Sequence, residues 1–91
     1  MFTEKGLTKR LNALLQKLEL NGLREEDIQN AKEFIAHSEY GVALELVVDQ
    51  LYEYNVEIDK TIIKEIFQLG NEMELNVASW KFLEELIKDH Q

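Results

Sequence analysis

The sequence predicts an all-α fold, a compact single-domain bundle of four to five short helices, and three observations carry that expectation. The first is a scarcity of helix breakers: proline is absent and the glycines are confined to Gly6, Gly22, Gly41 and Gly70. A chain poor in both residues has few places to stop a helix. The second is periodicity. Apolar residues recur three and four apart, which places them on one side of a 3.6-residue helix. The third is length, because 91 residues, read as one domain over 1–91, are too few to build two cores.

Each element follows from its own residues. Leu7, Leu11, Leu14, Leu15 and Leu18 form one apolar stripe, with Lys9, Arg10, Asn12 and Lys17 on the solvated side, and Asn21-Gly22 ends the helix as a C-cap pair. In the second helix Glu25, Glu26 and Asp27 fill the first turn, where negative charge meets the positive helix end. Ile28, Ala31, Phe34 and Ile35 supply its core face, and it is expected to stop near Ser38 to Gly41. The third helix, about Val42 to Tyr54, is apolar at Val42, Ala43, Leu44, Leu46, Val47, Val48 and Leu51. That covers most of its circumference and predicts a central position. A fourth helix starts after Asp59, an N-cap candidate, and offers Ile62, Ile63, Ile66, Phe67, Leu69 and Met73. Asn76 is the cap candidate for a final helix with Val77, Trp80, Leu83 and Ile87 on one side.

Composition excludes several function classes. The 18 acidic and 10 basic residues give a formal net charge of −8, which repels phosphate backbones and anionic membranes, so neither nucleic acid nor membrane is expected as a direct partner. The absence of cysteine removes disulfides, thiolate metal sites and cysteine nucleophiles. The opening MFTEKGLTKR lacks the apolar stretch of a secretory signal, and no apolar run approaches the roughly 18 residues of a membrane span. A cytoplasmic protein is expected.

Catalysis finds little support. The histidines are His37 and His90; Glu33 and His37 stand four apart on the second helix, yet zinc sites take three or four protein ligands, so no metal site and no cofactor are predicted. The pairs Glu25/Glu26 and Glu84/Glu85 read as solvated helix residues, and Trp80, flanked by Lys81 and Phe82, reads as a core anchor. No phosphate-cradling glycine loop and no serine nucleophile elbow is present. The chain is read as a non-enzyme.

One stretch stands apart. From Glu33 to Asp59 there are seven acids and no Lys or Arg, whereas the rest of the chain interleaves both signs. Glu45, Asp49 and Glu53 recur every four residues on the third helix. Like charges so spaced cost roughly 0.2 to 0.5 kcal/mol per pair, so folding alone gives no reason to prefer the row. Tyr40, Tyr52 and Tyr54 lie in the same region, and tyrosine is enriched at interfaces. Two readings stand: a solvated face with tyrosines capping the core, or a surface built for a cationic partner. Tyr52 and Tyr54 cannot both point with Glu53, so one of them is expected in the core.

The block SEYGVALELVVDQLYEYNVEID, an apolar helix ending QLGNEMEL, and the Trp-containing ASWKFLEEL together resemble the MafI family of bacterial immunity proteins over about Ile28 to Leu86. The most specific elements are EYG, ALEL, QLYEY and the W-x-F-L of Trp80, Phe82 and Leu83; Glu74 stands where a glycine is expected. The resemblance implies a small helical protein that binds and neutralises, in the cytoplasm, the C-terminal domain of a cognate polymorphic toxin, often a nuclease such as an RNase. Joined to the charge pattern, it makes Glu45, Asp49 and Glu53 the partners of toxin Arg or Lys. Tyr40, Tyr52 and Tyr54 become the buried anchors, and Glu57 and Asp59 the rim. A homo-oligomeric scaffold pairing through Phe2, Val56, Ile58 and the tyrosines is the alternative, and a metal-dependent enzyme using Glu33 and His37 a third.

Overall fold

The computed structural model describes residues 3–87. It contains α1 (Glu4–Leu20), α2 (Glu25–Ala36), α3 (Tyr40–Glu53), α4 (Lys60–Glu72) and a closing 3-10 segment (Val77–Leu86). The radius of gyration, 12.3 Å, equals the roughly 12 Å of a tightly packed domain of this length. Phe2 and His90 lie outside the described residues.

α1 buries the predicted leucine stripe entirely, and Thr3 caps it by accepting from the Gly6 N–H at 3.0 Å. α3 is central as expected, packing against α1, α2, α4 and the 3-10 segment. Its buried residues are Ala43, Leu44, Val47, Val48 and Leu51, while Val42 is 41% exposed on the opposite strip. The helix therefore has a solvent face, and Val42 belongs to it rather than to the core. It also begins earlier than predicted, at Tyr40, with Gly41 inside the helix against the Leu75 side chain.

All four α-helices end in the same hydrogen-bonded turn. At α1 the Leu23 N–H donates to the Leu18 carbonyl and Gly22 to Glu19, with Gly22 at φ 110°. The pattern repeats with Ser38 (φ 61°) after α2, Asn55 (φ 52°) after α3 and Glu74 (φ 60°) after α4. Left-handed backbone stops each helix, and in three cases the residue carrying it is not glycine. The turn normally brings an apolar residue after it against the last helical turn, as Leu23, Val56 and Leu75 are placed to do. After α2 that position is Glu39, which cannot cover Phe34 in this way; Phe34, predicted as core, is 37% exposed.

The last element departs from its predicted form. Val77–Leu86 is 3-10 rather than α, with a kink at Trp80, and its side chains repeat every three residues. Trp80, Leu83 and Leu86 are buried, so Leu86 takes the inward place assigned to Ile87. Trp80 packs edge-on to Phe67 at 6.3 Å and closes over Gly70, where a Cβ would meet it at 2.7 Å. Asn76 makes no side-chain cap; its carbonyl instead accepts from the Ser79 hydroxyl at 2.7 Å.

Between α3 and α4 the chain runs extended, and alternation sends Val56 and Ile58 inward with Glu57 outward. Ile58 bridges Ile87 in parallel and donates its N–H to the Leu86 carbonyl. Val56 and Ile58 are 6% and 2% exposed, so the expectation of an exposed apolar pair is corrected: both are core.

Candidate functional site

Residues three and four apart share a helix face, and on α3 the outward face carries Val42, Glu45, Asp49, Tyr52 and Glu53. Glu45, Asp49 and Glu53 are exposed and make no hydrogen bond or ion pair among the described residues. Four acids elsewhere do find cations: Arg10 grips Glu72 at 2.6 and 3.1 Å, Lys17 reaches Glu65, and Arg24 reaches Glu26 and Asp27. The potential of the row is thus uncompensated locally and projects into solvent.

The three tyrosines do not gather on that row. Tyr52 lies at its edge, packed edge-on to Phe82 at 4.8 Å, and donates its hydroxyl to Glu85 at 3.0 Å. That hydrogen bond, with the carboxylate charge behind it, raises the Tyr52 hydroxyl above its ordinary pKa. Tyr54, two residues on, emerges about 200° away around the helix and lies beneath the Arg24 guanidinium, 4.1 Å from ring centroid to carbon. Tyr40 is half-buried against α1, where its hydroxyl oxygen accepts from Thr8 at 3.1 Å. The expectation that either Tyr52 or Tyr54 is core is corrected, for both are 45% exposed. They divide between two flanks because helix geometry separates them and each flank offers a polar partner.

The two rim candidates also part company. The Asp59 carboxylate caps α4, accepting from the Ile62 N–H at 2.8 Å, so it is already engaged in folding. Glu57 is exposed on the connector, and its carbonyl accepts from the Asn21 side chain at 2.9 Å. Of the eight predicted residues, the structure unites Glu45, Asp49, Glu53 and Tyr52 on one surface.

Sequence reasoning missed residues that shape this region. Asp27, read only as one of three first-turn acids, is buried at 3% exposure, accepting from Arg24 Nε at 3.2 Å and from Gln50 Nε2 at 2.9 Å. Arg24, which also lies over the Tyr54 ring, has its pKa raised by the Asp27 hydrogen bond first. Phe82 and Glu85 extend the α3 surface onto the 3-10 segment. The i+3 spacing of those two was the available signal.

The second-helix pair is differently arranged from a metal site. His37 Nδ1 lies 2.9 Å from the Glu33 backbone carbonyl rather than beside its carboxylate. Among the described residues no group of three or more His, Asp or Glu is placed to hold an ion, and no helix is long and apolar enough to cross a membrane. Fold and surface define a small helical protein with an uncompensated acidic face on its central helix. No family model, curated protein or solved structure matches the chain.

Proposed function

We propose that this protein is an immunity protein that binds and neutralises the C-terminal domain of a cognate bacterial polymorphic toxin, an RNase or other nuclease, in the cytoplasm. The single observation that carries the reading is the exposed, unpaired row of Glu45, Asp49 and Glu53. A nuclease needs a positive cleft for its phosphate backbone, and an acidic helix face competes for such a cleft while steering the encounter. The row spans about 12 Å, at 1.5 Å per residue, which is short for a standard interface of about 800 Å² per partner. Tyr52, Phe82 and Glu85 supply the adjoining area and an aromatic anchor. The MafI-like block covers these same elements and supports the same role. The scaffold alternative has lost its exposed Val56 and Ile58, both buried.

The test is co-expression with the C-terminal domain encoded immediately upstream. Co-purification with rescue of growth is the expected result. Two folded proteins that neither associate nor rescue would overturn the reading.

A further inference from the structure

A second surface lies on the far side of the 3-10 segment from the acidic row. A groove of about 640 Å³ runs between α4 and that segment, with Ile63, Phe67 and Ile87 as its apolar lining, Lys60 and Lys64 along one rim and Glu84 on the other. Ile63 and Phe67 are four residues apart, as are Lys60 and Lys64, so an apolar row and a cationic row run side by side along α4. The 3-10 segment divides this groove from the acidic row. With three residues per turn, Phe82 and Glu85 share the ridge that meets Tyr52, while Glu84 and Ile87 share the ridge that lines the groove. The two surfaces therefore flank one narrow element and carry opposite preferences in charge.

Building on the toxin-binding reading above, we propose that the same partner reaches across the 3-10 segment and places in the groove an apolar helical segment bearing a carboxylate, which pairs with Lys64. Charge complementarity selects that occupant, because the α3 row attracts cations and the α4 rim attracts anions. The parallel rows match the i, i+4 anchors with which an amphipathic helix fills a groove. The groove also discriminates: a uniformly basic protein is drawn to the row but repelled at the rim, so only a partner with both signs in the right places fits.

The sign of one charge reversal tests this. With the purified protein and the upstream-encoded toxin domain as probe, Lys64→Glu is expected to weaken binding at least fivefold through faster dissociation, and Lys64→Arg to bind like the wild type. Lys64 is exposed, so neither change threatens the fold. The Ile63 and Ile87 methyl NMR signals are expected to shift in the complex. Unchanged or tighter binding by Lys64→Glu, the outcome for a partner that is basic throughout, would overturn the proposal, as would unmoved methyls. Failure of the inhibitor reading looks different: a wild type that does not bind removes both claims. A Glu45→Lys/Asp49→Lys variant of undiminished affinity removes the acidic row, while the Lys64 result still decides the groove.

Discussion

The Arg24 guanidinium carbon lies 4.1 Å from the centroid of the Tyr54 ring, so the residue that opens α2 covers the residue that closes α3. The same guanidinium donates to Asp27, which Gln50 of α3 approaches from the other side. The pairing joins two helices through a buried carboxylate with both donors satisfied. Asp27→Ala leaves the Gln50 amide without its acceptor and is expected to cost about 1–3 kcal/mol, read by urea denaturation. Glu25→Ala and Glu26→Ala, in the same turn but exposed, are expected to stay within about 0.5 kcal/mol.

Three helix ends carry side chains on left-handed backbone, where glycine has no steric penalty. Glu74→Gly and Ser38→Gly, at φ 60° and 61°, are each expected to raise stability by about 0.5–1 kcal/mol. Asn55→Gly should gain less, because asparagine tolerates this region better than other side chains. Gly22→Ala, at φ 110°, is expected to lose about 1 kcal/mol or more although nothing lies within 4 Å of its Cβ position. Thermal denaturation of the four variants would show whether backbone conformation alone orders them.

What was legible in the sequence was what a single helix determines. The α1 stripe, the Asn21-Gly22 stop and the Asp59 cap depend on neighbours within a few residues, and each forms as read. Burial of Asp27 depends on Gln50, 23 positions away, and no local pattern announces it. The 3-10 segment escaped because Leu86 and Ile87 are both apolar, so periods of 3 and 3.6 fit the same letters. Burial of Val56 and Ile58, taken from the sequence as an exposed pair, was not legible either, because Ile58 is held inward by its bridge to Ile87, 29 positions away. Of the site, the acidic row was legible as helix spacing; the positions of the tyrosines were not, because Arg24, Thr8, Phe82 and Glu85 set them through tertiary contacts.

Gly70 holds the 3-10 segment against α4. A Cβ there would stand 2.5 Å from Val77 Cγ1 and 2.7 Å from Trp80 Cζ3, closer than packed carbons approach. Gly70→Ala gains up to about 1 kcal/mol in helix propensity. Overpacking outweighs it, so a net loss of about 1–3 kcal/mol with displaced Trp80 fluorescence is expected. At Gly41 the Cβ would meet only the end of the Leu75 side chain at 3.3 Å, which can yield. Gly41→Ala is therefore expected to be neutral or slightly stabilising, and the contrast separates packing from propensity.

Acid sensitivity should reside partly in Glu72. The Arg10 hydrogen bond, with its charge adding, holds this carboxyl below its ordinary pKa. A group whose folded value is depressed contributes stability above its unfolded pKa and loses it as pH falls through the folded one. Both side chains are 37% exposed, so water and salt screen the pair and the effect is modest. Glu72→Gln is expected to lower the urea midpoint near pH 7. The gap should shrink toward about pH 3, below the ordinary glutamate pKa, and in about 1 M salt.

Within the proposed complex the acids should be graded by position. Asp49 is the middle of the row, four residues from Glu45 and from Glu53 on the exposed face of α3, whereas Glu57 sits on the connector beyond the helix end. A carboxylate enclosed at the centre of an interface and paired with a partner cation costs about 2–5 kcal/mol to truncate, mostly in dissociation rate. Rim acids act mainly on association rate and salt dependence. Asp49→Ala is thus expected to weaken toxin-domain binding thirtyfold or more, about 2 kcal/mol. Glu57→Ala should weaken it less than tenfold, with the deficit fading at high salt. Surface plasmon resonance at two ionic strengths measures both rates, and equal effects of the two substitutions would move the interface away from the α3 face.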